Sequence, residues 1–247
     1  MINRSSLPSL LASIIVLCFG ITDLAFAQAI SHESNDRNED AVLRYLRRVA
    51  SSSDIAMRLY YLGACGPGAQ DLVPFPFTKV QPPSAGKTGL AAVREIFNND
   101  TNVTVTEDAG IIRILIGKVP IEILQTKISL LTLEPLAQYN PNQAIIAINN
   151  TNEMQAAMRA LGLSFVGSAS SSRTLPSEEL PHLPASVKNM TVEQILDLIA
   201  KTWDGPVIFG ACTNPRVESG TKPFFIGSAQ DVIPKGTWKK MGVERPD

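Results

Sequence analysis

Histidine, cysteine and aromatic side chains are scarce in this chain, and that scarcity narrows its chemistry. Of 247 residues, two are His, three are Cys and 6% are aromatic. His32 lies in a polar stretch and His182 between Pro181 and Pro184, so each reads as a solvated loop residue. Two isolated histidines without H-E-x-x-H or C-x-x-C spacing leave a three-ligand zinc site without ligands. No metal and no cofactor is expected. An excess of either charge is missing too. The 22 Lys and Arg balance 23 Asp and Glu, for a formal net charge of −1. Such a chain lacks the positive field that nucleic acid or anionic lipid demands, and Arg44, Arg47 and Arg48 form too small a cluster to supply it. Long apolar runs are absent as well. The longest candidate, Leu10–Ile21, falls short of the roughly 20 residues needed to cross a bilayer about 30 Å thick.

That short run belongs to a leader. Arg4 gives a positive start, Leu10–Ile21 the apolar part, and Ala25-Phe26-Ala27 a small-x-small site before Gln28. Residues 1–27 are therefore expected to be a signal peptide cut between Ala27 and Gln28, with Cys18 discarded. The mature protein is expected in a periplasm or outside the cell, with no transmembrane segment. Cleavage leaves Cys65 and Cys212, in the similar settings Leu62-Gly63-Ala64-Cys65 and Phe209-Gly210-Ala211-Cys212. In an oxidising compartment the simplest expectation is one disulfide between them; two unrelated buried thiols are the alternative. Closing so long a loop stabilises by roughly 5 kcal/mol on the chain-entropy model.

At 45% hydrophobic and 18% charged, the chain has material for a real core. A polar stretch to residue 38 precedes a helix over Glu39–Ala50, with Val42, Leu46 and Val49 at helical spacing. Asp54 is placed to cap a second short helix through Tyr61. Residues 28–76 thus read as a helical N-terminal segment ending in a Gly/Pro-rich turn. An α/β module follows over 77–166. It has a helix at Leu90–Phe97, then a hairpin of Val103–Thr106 and Ile111–Ile116 around a Glu107–Gly110 turn. A Pro120-led helix carries Ile121, Leu124 and Ile128. Ala144–Ile148 reads as a strand, and a helix capped by Asn152 and stopped by Gly162 completes the module. Residues 167–184 form a Ser/Pro linker. A smaller module, 185–234, holds a strand at Ala185–Asn189, a helix with Thr191 and Gln194 as its capping box, and strands at Pro206–Phe209 and Phe224–Ile226. A polar tail fills 235–247. The fold class is α+β: small mixed sheets of helix–hairpin units packed with helices.

Val187-Lys188-Asn189-Met190-Thr191-Val192-Glu193-Gln194-Ile195-Leu196-Asp197-Leu198-Ile199-Ala200 resembles the second half of the short N-terminal domain shared by secretins and TonB-dependent receptors. The helix-then-hairpin order over Leu90–Leu131 is similar. The likeness covers about 80 residues in two pieces. The long 132–185 insertion, the cysteine pair and the lack of a downstream barrel depart from that family. The resemblance implies protein–protein docking in a bacterial envelope and brings no catalytic residue.

Catalytic motifs are fragmentary. Ser84-Ala85-Gly86-Lys87 matches S-x-x-K and Lys87-Thr88-Gly89 matches K-T-G, but penicillin-binding enzymes need separate lysines and an S-D-N. A phosphate loop fails because Gln81 stands where its first glycine belongs. A Ser-His-Asp hydrolase would have to use His182 with Ser168, Ser170 or Ser171, none in a G-x-S-x-G elbow. Paired acids remain: Glu107 with Asp108, Glu178 with Glu179, and Asp197 with Asp204 flanking Trp203, a residue able to stack on a sugar. The expectation is a non-enzymatic envelope protein that docks a partner through the exposed edge of the 103–116 hairpin, as an accessory to a secretion or uptake assembly. The alternative is an exported hydrolase of cell-wall or carbohydrate material, whose carboxylates would converge on one cleft.

Overall fold

A computed structural model describes residues 41–63, 75–76, 79–98, 100–167, 180–212 and 221–230. The leader, the Ala27–Gln28 junction, His32, Cys65, Ser168, Ser170, Ser171, Glu178, Glu179, most of the 167–184 linker and the C-terminal tail lie outside the described residues.

The chain is α+β. Helix α1 is described over 41–53. Then come β1 (Ala56–Gly63), α2 (Gly89–Ile96), β2 (Val103–Asp108), β3 (Ile111–Ile116) and a 3-10 turn at Glu122–Gln125. After β4 (Lys127–Thr132) stand three helices: α3 (Pro135–Tyr139), α4 (Pro141–Asn149) and α5 (Asn152–Leu161). The last elements are β5 (Leu163–Phe165), β6 (Ser186–Thr191), α6 (Val192–Thr202), β7 (Pro206–Cys212) and β8 (Lys222–Ser228). Six strands form one mixed sheet in the order β2-β3-β1-β7-β8-β5, while β4 and β6 pair apart from it. The order strand, helix, hairpin occurs twice, as β1–α2–β2–β3 and as β6–α6–β7–β8.

Strand β1 is the organising element, parallel to β3 on one side and to β7 on the other. Strand alternation sends Ala56 and Tyr60 to one face and Met57, Leu59 and Tyr61 to the other. The first face packs α4, α6 and Trp203; the second packs Val42, Leu46 and Val49 of α1 with Val93 and Ile96 of α2. Both faces of β1 are thus covered, which corrects the helix expected through Tyr61. A strand buried on both sides carries a near-continuous apolar run and loses the alternation that marks a half-wet strand. Asp54 has φ +54° and ends α1 without starting another helix.

Two further segments differ from expectation. Residues 121–128 enter a 3-10 turn and then β4, because Lys127–Thr132 pairs antiparallel with β6. Ala144–Ile148 lies in α4, whose start was legible: Pro141 occupies the first turn, and Asn140 Oδ1 accepts from the backbone N–H groups of Asn142 and Gln143. Thr151, not Asn152, caps α5, and Gly162 ends it in the left-handed conformation. The segments 77–166 and 185–234 do not hold separate sheets. Strand β7 pairs with β1, β5 with β8, and β4 with β6. The hairpin is as expected, closed by Ala109 and Gly110 at φ +49° and +75°. So is the capping box, where the Thr191 N–H donates to Gln194 Oε1 at 2.8 Å and the Gln194 N–H to Thr191 Oγ1 at 3.2 Å.

Gly210 on β7 lies beside Tyr61 on β1, and a Cβ there would stand 2.5 Å from the Tyr61 ring. The ring is itself pinned against Phe75 at a centroid distance of 4.9 Å. Gly210→Ala is expected to destabilise by about 1–3 kcal/mol, the usual cost of overpacking. A urea unfolding midpoint equal to wild type would show that the ring swings away freely.

Candidate functional site

The free long edge of the main sheet is β2. Among the described residues it pairs only with β3. The Gly117 N–H donates to the Asn102 carbonyl at 2.9 Å, which fixes the parity of the ladder. Thr104, Thr106 and Asp108 therefore bond inward to Leu115, Arg113 and Ile111. Val103, Val105 and Glu107 turn their backbone groups outward. The Val103 N–H is taken by the Asp100 carbonyl at 3.0 Å, leaving the Val105 and Glu107 main chain facing outward. Beside this edge a groove of about 180 Å³ is lined by Arg94, Phe97, Asp100, Val103 and Val105. Helix α2 forms its far wall, and its charged groups stand above an apolar floor.

The second charged feature is buried. Arg58 on β1 is fully enclosed, yet carries a cation. Its Nη2 lies 3.0 Å from Glu193 Oε1, and its Nε 3.0 Å from Asp197 Oδ1, both acids on α6. Both contacts are ion pairs without hydrogen-bond geometry. Nη1 donates to the Glu193 carbonyl at 3.3 Å, and the guanidinium lies 5.3 Å from the Tyr60 ring centre. Arg113 stands opposite Arg58 on β3 and reaches Asp108 at 3.2 Å. Burial raises the Asp197 carboxyl above its usual range; the attraction of Arg58 and Arg113 opposes this and Glu193 adds to it. Burial likewise pushes the Tyr60 phenol upward.

Among the described residues, the acids named for the alternative hydrolase reading do not converge on one cleft. Trp203 is completely buried and offers no stacking surface, and Asp204 is buried with it. Asp197 is engaged by Arg58. Glu107 and Asp108 lie exposed by the hairpin turn. A cavity of about 400 Å³ elsewhere has one carboxylate, Glu122, in its lining. Ser84 and Lys87 have a structural role. The Ser84 hydroxyl donates to Glu95 at 2.6 Å and Lys87 pairs with it at 3.1 Å, tying the loop to α2. The Ser84 hydrogen bonds, chiefly, hold the Glu95 carboxyl below its usual value. His182 rests on Tyr139 with ring centres 5.0 Å apart. Cys212 is buried at the end of β7, beside Gly63 of β1. Among the described residues, no group of three His, Cys, Asp or Glu side chains is placed to hold a metal. No described helix is long and apolar enough to cross a membrane. Sequence reading missed the Arg58 cluster: a lone Arg in an apolar run was its one trace, and the acids at Glu193 and Asp197 have helical spacing that marks them as neighbours.

No family model matches the chain, and neither a curated protein nor a solved structure matches it.

The raised Asp197 carboxyl has a signed consequence. Its proton is held more tightly in the folded than in the unfolded chain. The stability it contributes is complete below its ordinary value of 3.8 and is lost as pH rises through the higher folded value. Asp197→Asn lacks that dependence. With the carboxamide standing in for the protonated carboxyl, the stability of wild type minus that of the variant should fall as pH rises; denaturation series across acidic pH read it, and a difference that shifts toward wild type as pH rises contradicts the assignment.

Proposed function

We propose that this is an exported, non-enzymatic protein of the cell envelope that docks another envelope protein by strand addition along the outer edge of β2. The observation that carries the reading is that edge itself: a six-residue strand with outward main-chain groups at Val105 and Glu107, bordered by a side-chain groove. In strand addition, main-chain hydrogen bonds supply affinity and side-chain pockets supply selectivity. The partner segment is extended, with an apolar residue entering between Phe97 and Val105 and polar groups meeting Arg94 and Asp100. The doubled strand–helix–hairpin order supports the likeness to the short N-terminal domain of secretins and TonB-dependent receptors, whose role is docking within a secretion or uptake assembly.

Export through cleavage between Ala27 and Gln28 and a Cys65–Cys212 disulfide belong to the same reading. Gly63 lies level with Cys212, two residues before Cys65, which supports the pairing. The secreted protein is expected to begin at Gln28, to show no free thiol when denatured, and to migrate differently after reduction. Material that keeps Met1 and titrates for two or more thiols removes the export reading.

Docking is tested by proline placement. Val105→Pro deletes an outward N–H while leaving the ladder to β3 intact, and proline is tolerated on such an edge. The variant should match the wild-type far-UV circular dichroism but recover a partner from envelope extract about tenfold less well. Thr104→Pro removes an inward bond and should lower the unfolding midpoint. Equal recovery by wild type and Val105→Pro, or no partner recovered by either, rules the edge out.

A further inference from the structure

A cavity of about 400 Å³ opens beyond the carboxyl ends of β1 and β7, between Leu62, Cys212 and the segment leaving β3 at Lys118 and Pro120. Its position follows from the path of the chain. From β1 the chain passes to α2 on one face of the sheet; from β3 it passes to the 3-10 turn on the other. Neighbouring parallel strands whose connections leave to opposite faces part at their carboxyl ends, and ligands of α/β sheets bind in that crevice. The volume falls in the range of small-molecule sites, about 300–1,000 Å³.

The walls are apolar. Ile123, Phe209 and Phe224 come from the core, and Leu163 and Leu161 from the β5 side. Leu161 remains 44% exposed at the mouth, an apolar surface left in water. The charged groups are Lys118, Lys222 and Glu122, two cations against one anion. Both lysines are exposed, and neither ammonium has an ion-pair partner among the described residues. Arg58, Glu193 and Asp197 are held in their own cluster on that side of the sheet and are not part of the lining. A purely apolar ligand would leave the lysines unused, and a small polar anion would leave Leu161 and Leu163 in water. We infer that this cavity is a binding site for a single-chain aliphatic carboxylate, its tail against Leu62, Leu161 and Leu163 and its head between Lys118 and Lys222. The site is separate from the β2 edge and does not depend on partner docking.

Calorimetric titration of the full mature chain with decanoate, decanol and decyltrimethylammonium, each below its micellar range, tests the assignment. Decanoate should bind saturably at one per chain, about tenfold more tightly than decanol, with the ammonium weakest. Lys118→Gln combined with Lys222→Gln should erase the preference for decanoate and leave decanol affinity unchanged, which also reports that the variant is folded. Leu163→Gln should weaken decanoate and decanol together. Absence of saturable binding, or equal affinity for decanoate and decanol in the wild type, overturns it.

Discussion

The buried guanidinium of Arg58 is the constraint on which the remaining architecture depends. Moving a cation out of water costs several kcal/mol, and only close, well-placed partners repay it. Here the partners, Glu193 and Asp197, sit on successive turns of α6, so the charge can be satisfied only when α6 lies across β1 at one height and one rotation. Apolar packing alone would leave α6 free to slide, since Ile195, Leu196 and Ile199 fit a hydrophobic sheet in several registers. The ion pairs also reach beyond α6: Gln125 donates to Glu193 at 2.9 Å and so ties the 3-10 turn to the same anchor.

From that anchor the sheet follows. With α6 fixed over β1, the chain leaving it enters β7 beside β1, and β8 folds back along β7. Helices α1 and α2 cover the opposite face with Val42, Leu46, Val93 and Ile96, and Arg47 Nε donates to the Ala229 carbonyl at 3.0 Å. The first face carries the buried ion pairs, and the second is packed mainly through apolar side chains. Gly210 belongs to the packed face, where its missing side chain makes room for Tyr61. The same arrangement explains why segments far apart in sequence end in one sheet: β1 needs a neighbour on each side, and β3 and β7 come from opposite halves of the chain.

Local signals were legible and shared ones were not. The hairpin at 103–116, the Thr191–Gln194 capping box and the Gly162 stop each rest on a few adjacent residues, and each was readable. The β1 strand was hidden because burial on both faces erased its alternation, and its Arg58 broke the apolar run further. Strand β4 was hidden because β6, more than fifty residues later, decides its conformation. For α4 the Asn140-Pro141 start was present but outweighed by the β-branched run Ile145-Ile146. Of the proposed docking site, the hairpin edge was readable, whereas the groove beside it required α2 to be placed. The cavity was beyond reach, since its walls come from five separated segments.

The two ends of the sheet show how the edge of β2 differs from an ordinary boundary. Strand β5 ends the sheet with three residues, and so short an edge offers little template to another chain. Strand β2 is twice as long, and Val103–Thr106 contains no lysine, proline or bulge, the usual devices against edge-to-edge pairing. Its acids, Glu107 and Asp108, stand at one end only, and Asp108 is drawn inward to Arg113. An edge left open over its central residues keeps its main-chain groups on water and available for pairing with another chain. The protection given to β5 and withheld from β2 is the asymmetry on which the proposed strand addition rests.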